Sequence, residues 1–173
     1  MQIEISQGDI TKRDVDAIVN AANSSLMGGG GVDGAIHRAA GPGLHTACLE
    51  VRVAYPNGLP VGQAVATPGF KLPARWVIHT VGPNMHVGQN DPALLASCFR
   101  ESLKVAASLR ARSLAFPAIS AGIYGWEARD VARIALDGVR DFERSSPENG
   151  VDLVEFVLFN AETTNVFRDV FEV

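Results

Sequence analysis

The residues of this chain best equipped for chemistry crowd into one stretch, Asn20 to Gly41, reading NAANSSLMGGGGVDGAIHRAAG. Asn20 and Asn23 close an apolar run (Ala17, Ile18, Val19), glycines fill Gly28 to Gly31, and a helix-like segment then carries Asp33 and His37. At that spacing Asp33 and His37 share one helical face. Consecutive glycines cost more chain entropy than a packing need accounts for. They suit a backbone that must approach a ligand closely and offer it bare N–H groups. A glycine-rich turn leading into a helix N-terminus is an anion site, usually for phosphate. Asp33 has two readings. As the residue opening a helix it is an N-cap; as a carboxylate beside phosphate, which repels it, it polarises a water or binds a sugar hydroxyl. His37 either orients Asp33 or is a satisfied helix histidine, and a supporting role is expected. Asn23 can donate to and accept from vicinal hydroxyls, as a ribose presents them, or hold its loop through backbone bonds. That second task is expected of Asn20.

A second glycine-bearing loop, Ser120-Ala121-Gly122-Ile123-Tyr124-Gly125, also follows an apolar run and precedes a helical pattern. Either loop alone reads as a tight turn, but the pair can hold a diphosphate from two sides with backbone amides. Neither fits G-x-x-x-x-G-K-[ST], and the first lacks both the G-x-G-x-x-G spacing and the acidic residue of a dinucleotide site. Tyr124 and Trp126 stand where such a loop would cover a sugar. Asp9 can take a hydrogen bond from an exocyclic amine such as that of adenine, or cap the turn before Thr11. Phe159, ending an apolar run, reads as a wall for a base or as a core residue. His45, His79 and His86 form no motif and receive no role.

The elements that must position these residues alternate. Strands are expected around Ile3 and Ile5, over Ala17–Asn20, Val65–Thr67, Trp76–Val81 and Ser113–Pro117, and over the apolar run Leu153–Phe159, which suits a strand buried on both faces. Helical patterns cover Gly34–Ala40, Leu44–Tyr55, Pro92–Arg110 with Asp91 as cap, Glu127–Arg144, and a last segment from Ala161. Asn84–Asn90 reads as a polar loop. The alternation gives an α/β protein with helices on both faces of a mixed sheet. In such sheets ligands sit beyond the carboxyl ends of the strands. The loops Gly8–Thr11, Asn20–Asp33, Ser120–Trp126 and Phe159–Asn160 leave those ends.

The 173 residues, 47% hydrophobic and 20% charged, suit one globular domain, 1–173, with a substantial core. A formal charge of −4 speaks against bulk nucleic-acid binding, and no basic stripe with interleaved aromatics supports a single-stranded ligand. Phosphate must therefore be held by local N–H groups. Cys48 and Cys98, outside any C-x-x-C or Cys/His cluster, suggest neither disulfide nor zinc and read as buried apolar residues. MQIEISQGD lacks a basic region followed by an apolar core, and no run of 18 apolar residues occurs. A soluble, cytoplasmic protein without a membrane partner is expected.

Four motifs resemble those of the macrodomain family in order and spacing, over essentially the whole chain. They are Gly8-Asp9-Ile10-Thr11, Val19-Asn20-Ala21-Ala22-Asn23, the run Gly28 to Gly31 with Val32-Asp33-Gly34-Ala35-Ile36-His37, and Ser120 to Gly125. The glycine run followed by Val-Asp-Gly and His is similar to the MacroD-type hydrolase branch. The resemblance implies a three-layer α/β/α sandwich on a six-stranded mixed sheet, with ADP-ribose in the cleft. By that likeness Asp9, helped by the Ile10 backbone, would bind the adenine amine, with Phe159 against the ring. Gly30, Gly31 and Val32 would wrap the diphosphate together with Ser120, Ala121, Gly122, Ile123 and Tyr124. Asn23 would hold the distal ribose, and Asp33, supported by His37, would act on the attacking water. Tyr124 would shape the distal site, with Trp126 at its edge.

The implied activity is removal of ADP-ribose from acidic side chains and deacetylation of O-acetyl-ADP-ribose. Both are ester hydrolyses at the distal ribose, needing no metal or cofactor. The implied partners are ADP-ribose, its esters and ADP-ribosylated proteins, and a monomer is expected. The rival is a module that recognises ADP-ribose without turnover, since fold does not decide function; such a reader needs the cradle but not Asp33. Trp126-Glu127 replaces an aromatic–proline pair common in the family, Ala121 a frequent threonine, and Asn160 a frequent acidic residue. These departures bear on substrate preference rather than on the ligand.

Overall fold

The computed structural model describes residues Met1–Val173. Each apolar run bounded by glycine, proline or a polar turn forms a strand: β1 (Gln2–Gln7), β2 (Ala17–Ala22), β3 (Ala64–Pro68), β4 (Trp76–Val81), β5 (Ser113–Phe116) and β6 (Leu153–Leu158). They make one six-stranded sheet in the order β1-β6-β5-β2-β4-β3. The first five strands in that order run parallel, and only β3 is antiparallel to its neighbour β4. Chain connectivity explains the difference. Parallel neighbours need a long crossover, whereas the turn over residues 69–75 reverses the chain directly.

Helices follow the strands: α1 (Gly31–Ala40) and α2 (Pro42–Ala54) between β2 and β3, α3 (Pro92–Ser108) between β4 and β5, α4 (Ala128–Ser145) between β5 and β6, and α5 (Ala161–Phe171) after β6. Successive strand side chains point to opposite faces, so Ile18 packs under α1 and α2 with Ile36, Leu44 and Cys48. Its neighbour Val19 packs under α3, α4 and α5 with Phe99, Val131 and Phe167. The result is the expected three-layer α/β/α sandwich on a mixed sheet. The larger core carries a chain of aromatic contacts from Phe99 through Phe116 and Phe156 to Phe167, with centroids 5.3, 5.4 and 5.6 Å apart in turn. Each such side chain contributes about 1.5–3 kcal/mol by its burial.

The helix ends follow local chemistry. Asp91 accepts from the Ala93 N–H at 2.9 Å with Pro92 as first helical residue, and Asn160 caps α5 through the Thr163 N–H at 2.8 Å. α1 departs from expectation by beginning at Gly31 rather than Gly34, so the last glycine of the run is already helical. α3 stops at Ser108, before Arg110 turns left-handed at φ 59°. A 3-10 turn, Met85–Val87, occupies the loop expected after β4. Because β1, β6, β5, β2 and β4 run parallel, their carboxyl ends lie along one edge, and the loops that leave them line a common cleft.

Candidate functional site

The cleft is built around the N-terminus of α1. Gly30 is its N-cap and offers no side chain, and none of the N–H groups from Gly29 to Asp33 reaches a protein acceptor. These are the orphan donors of a helix start, where the dipole favours negative charge. Gly31 sits at φ 59°, and a side chain at Gly30 would meet nothing within 4 Å. The second glycine loop faces this one: the Ile123 side chain reaches to 3.4 Å of where a Gly31 Cβ would stand. Ser120 holds a left-handed conformation at φ 67°, rare for a residue with a side chain, and its hydroxyl is buried without a partner. Gly122 at φ 74° leaves open space beside it.

Asp33 stands in the first turn of α1, not at its cap, and is 5% exposed. Its Oδ1 accepts from Asn20 Nδ2 at 2.8 Å and lies 3.5 Å from His37 Nε2, within ion-pair reach but outside hydrogen-bond geometry. Its Oδ2 and the Asn23 amide nitrogen lie 3.2 and 3.4 Å from the position a Gly29 side chain would take. Glycine at 29 therefore keeps open a corner bounded by a carboxylate oxygen and an amide. Asn23 is pinned there by donating to Gly28 O at 3.0 Å and accepting from Ser25 Oγ at 2.5 Å.

At the far end Asp9 is exposed, and its Oδ1 accepts from the Thr11 hydroxyl at 2.6 Å and the Thr11 N–H at 3.0 Å. The Thr11 hydroxyl bond, against the opposing pull of partial burial, holds the Asp9 carboxyl below its ordinary value, with Lys12 and Arg13 assisting. The Gly8 N–H donates to Leu158 O at 2.9 Å, which ties this turn to the end of β6. There Phe159 projects with 85% of its surface exposed. A ring so placed is free to cover a planar ligand.

Residues 19–135 match the Macro domain family. The chain belongs to the macrodomain family. It is 57% identical over 169 residues to the Macro domain-containing protein in the non 5′ region of Streptomyces griseus, covering 97% of this chain and 93% of that one. Among solved structures, the Oceanobacillus iheyensis macrodomain with ADP superposes with a TM-score of 0.89 at 44% identity, covering 96% of this chain and 87% of that one. The Trypanosoma brucei macrodomain in complex with ADP-ribose gives a TM-score of 0.87 at 40% identity, covering 98% and 68% respectively.

Three features of this macrodomain differ from the sequence reading. Trp126 does not edge the cleft: it is 4% exposed, packs in the core, and donates its indole N–H to Pro83 O at 3.1 Å. A large apolar ring gains more from that burial than from a wet rim. The loop-holding task expected of Asn20 falls to Asn23, and Asn20 instead anchors Asp33. Finally, the loop after β4 belongs to the site's support. Met85 donates its N–H to Tyr124 O at 2.9 Å, and a side chain at Gly82 would strike the Ser120 hydroxyl. The support also includes His79, to which the sequence assigned nothing, fully buried and bonded to Asn20. Tyr124 is half-buried against the core.

Both cysteines are free and fully buried. Burial pushes the Cys48 thiol up to about 11, with the Asp33 charge adding to it, and burial does the same to Cys98. No three His, Cys, Asp or Glu side chains gather to hold a metal ion. No helix is long and apolar enough to cross a membrane.

Proposed function

We propose that this macrodomain, read as one domain over residues 1–173, binds ADP-ribose and hydrolyses its esters at the distal ribose in the manner of the MacroD-type branch. The observation that carries the reading is the Asp33 carboxylate, anchored through Oδ1 by Asn20 with Oδ2 beside the Asn23 amide, at a helix start whose N–H groups are free. Phosphate explains those N–H groups, and a carboxylate buried next to them calls for a chemical task.

In this reading Asp9 accepts from the adenine amine, with the Ile10 backbone beside it, and Phe159 covers the ring. The diphosphate lies between Gly30-Gly31-Val32 and Ser120-Ala121-Gly122-Ile123-Tyr124, held by amides in a chain of net charge −4. The free Asn23 amide proton meets the distal ribose, and Tyr124 closes that end. Asp33 Oδ2 holds the attacking water, with His37 steadying Oδ1 at 3.5 Å. Water adds across the ester and gives a free carboxylic acid and ADP-ribose with its hydroxyl restored. Proteins carrying ADP-ribose on aspartate or glutamate and O-acetyl-ADP-ribose are the substrate classes. The ADP and ADP-ribose in the O. iheyensis and T. brucei macrodomains support the ligand.

The test is turnover of O-acetyl-ADP-ribose and of a glutamate-linked ADP-ribosyl protein by EDTA-treated protein, with Asp33→Ala alongside. Turnover by the wild type and little by the variant is expected. No turnover of either ester alongside clear calorimetric binding of ADP-ribose would make the protein a reader.

A further inference from the structure

Beneath Asp33 and its Asn20 anchor lies a buried histidine, His79, that the proposed reaction leaves unused. Asn20 on β2 and His79 on β4 are register partners across parallel strands, and both are fully buried. An amide nitrogen only donates, so the Asn20 Nδ2 protons go to Asp33 Oδ1 at 2.8 Å and to His79 Nδ1 at 3.1 Å. His79 Nδ1 is thus an acceptor and Nε2 carries the ring proton. Thr67 Oγ1 stands 3.0 Å from Nε2 to receive it, with Cys48 Sγ at 3.9 Å.

The arrangement has a cost, because the buried Asn20 Oδ1 has no partner. The flipped amide would be worse: its oxygen would face both the Asp33 carboxylate and the lone pair of Nδ1, two repulsions in a low-dielectric interior. A neutral imidazole protonated at Nε2 therefore selects one orientation of the Asn20 amide, and that amide selects the orientation of the carboxylate. The other ionisable groups facing Asp33 are His37 on α1 and Cys48 on α2, and neither touches the Asn20 amide.

We propose that His79 is a positioning residue for Asp33: through Asn20 it fixes Oδ1 as the anchored oxygen and Oδ2 as the one facing Asn23 and the cleft. The proposal rests on the role given to Asp33 above. Burial lowers the His79 value to about 3, with the charge of His37 acting in the same sense. The ring thus stays neutral over the range in which most hydrolases work.

Two substitutions and one spectrum test this. His79→Leu removes the acceptor, whereas His79→Asn returns an acceptor oxygen near the Nδ1 position; both lose the bond to Thr67. For His79→Leu, kcat on O-acetyl-ADP-ribose should fall about 10- to 100-fold, the range a misplaced reacting group costs. Its KM and its Kd for ADP-ribose should stay within about twofold. His79→Asn should recover most of kcat even though its Tm, like that of the leucine variant, is lowered. Equal kcat in the two variants would overturn the proposal. Independently of turnover, imidazole ¹⁵N shifts should show Nδ1 bare and Nε2 protonated from about pH 8 to about pH 5. The Asn20 side-chain NH₂ signals should move in His79→Leu and return in His79→Asn. An Nδ1-protonated ring, or unmoved NH₂ signals, would sink the positioning role whether or not the protein is a hydrolase. Expected nitrogen shifts without turnover by the wild type would sink the hydrolase reading alone and leave the His79–Asn20–Asp33 orientation supported.

Discussion

Gly29→Ala probes the corner at Asp33 with the smallest available perturbation. Gly29 is not among the glycines in the left-handed region, so an alanine there incurs no backbone penalty. Relative to glycine it even loses less chain entropy on folding, worth about 0.4–1 kcal/mol. Its methyl, however, would stand 3.2 Å from Asp33 Oδ2, tighter than ordinary van der Waals contact, and 3.4 Å from Asn23 Nδ2, at the edge of it. Asp33 is held at Oδ1 by Asn20 and Asn23 by Gly28 and Ser25, so each can give way only by a few tenths of an ångström. A misplacement of about 1 Å costs roughly 100-fold in rate. A few tenths should cost about threefold to tenfold, or about 0.7–1.4 kcal/mol in the barrier. Stopped assays of O-acetyl-ADP-ribose hydrolysis, with calorimetric titration of ADP-ribose and a thermal melt, separate the effects. The expectation is a lowered kcat, a Kd within about twofold of wild type, and an unchanged or slightly raised Tm. Wild-type kcat would refute the placement of the water on Asp33 Oδ2. A Tm lowered in step with kcat would refute the claim that the corner is spare space.

Asp33→Ala should lose about 10²- to 10⁴-fold in kcat, the usual worth of a group acting on the attacking water, while calorimetric affinity for ADP-ribose stays close to wild type. Gly122→Glu should abolish binding and lower Tm somewhat: its φ of 74° strains any side chain, and the open space beside it lets the new carboxylate carry a negative charge into the diphosphate region. Retained affinity in that variant would move the phosphates elsewhere. The lowered Asp9 value means its Thr11 stabilisation is complete above the ordinary carboxylate value and is lost as pH falls through the folded one. Thr11→Val should therefore begin losing affinity for ADP-ribose at a higher pH than wild type, measured from about pH 7 to about pH 4. His79 acts on stability in the same direction. Unfolded chains take up a proton at about 6.5 that the fold refuses until about 3, so Tm should fall as pH drops below about 6.5. His79→Asn should show a shallower fall over the same window.

Strands were the most legible elements because each is an apolar run cut off by glycine, proline or a polar turn, and the fold needs no unusual pairing to use them. Asp33, His37 and the glycine run were legible because one helix start gathers them locally. Asn20 and His79 were not: 59 residues separate them, and only the β2–β4 register makes them neighbours. Trp126 was misplaced for a related reason. Its position in a glycine-bearing loop says nothing about which way the ring turns, and that is decided by the Pro83 carbonyl of a loop far away in sequence. Helix limits slipped by a few residues where the decisive feature was a backbone angle, as at Gly31 and Arg110.

The strand order has a further consequence for biosynthesis. Strand β6, made after the other five strands, is seated between β1 and β5. Until it arrives, the first strand has no hydrogen-bonded neighbour and the Gly8 N–H lacks the Leu158 carbonyl that holds it. Asp9 and Phe159, the two ends of the proposed adenine seat, thus come together only after all six strands have been made. Such closure between distant segments is slow compared with local helix formation. The nascent chain can assemble the Asp33 corner early, from residues 19–81, yet it can grip a nucleotide at both ends only once β6 has emerged.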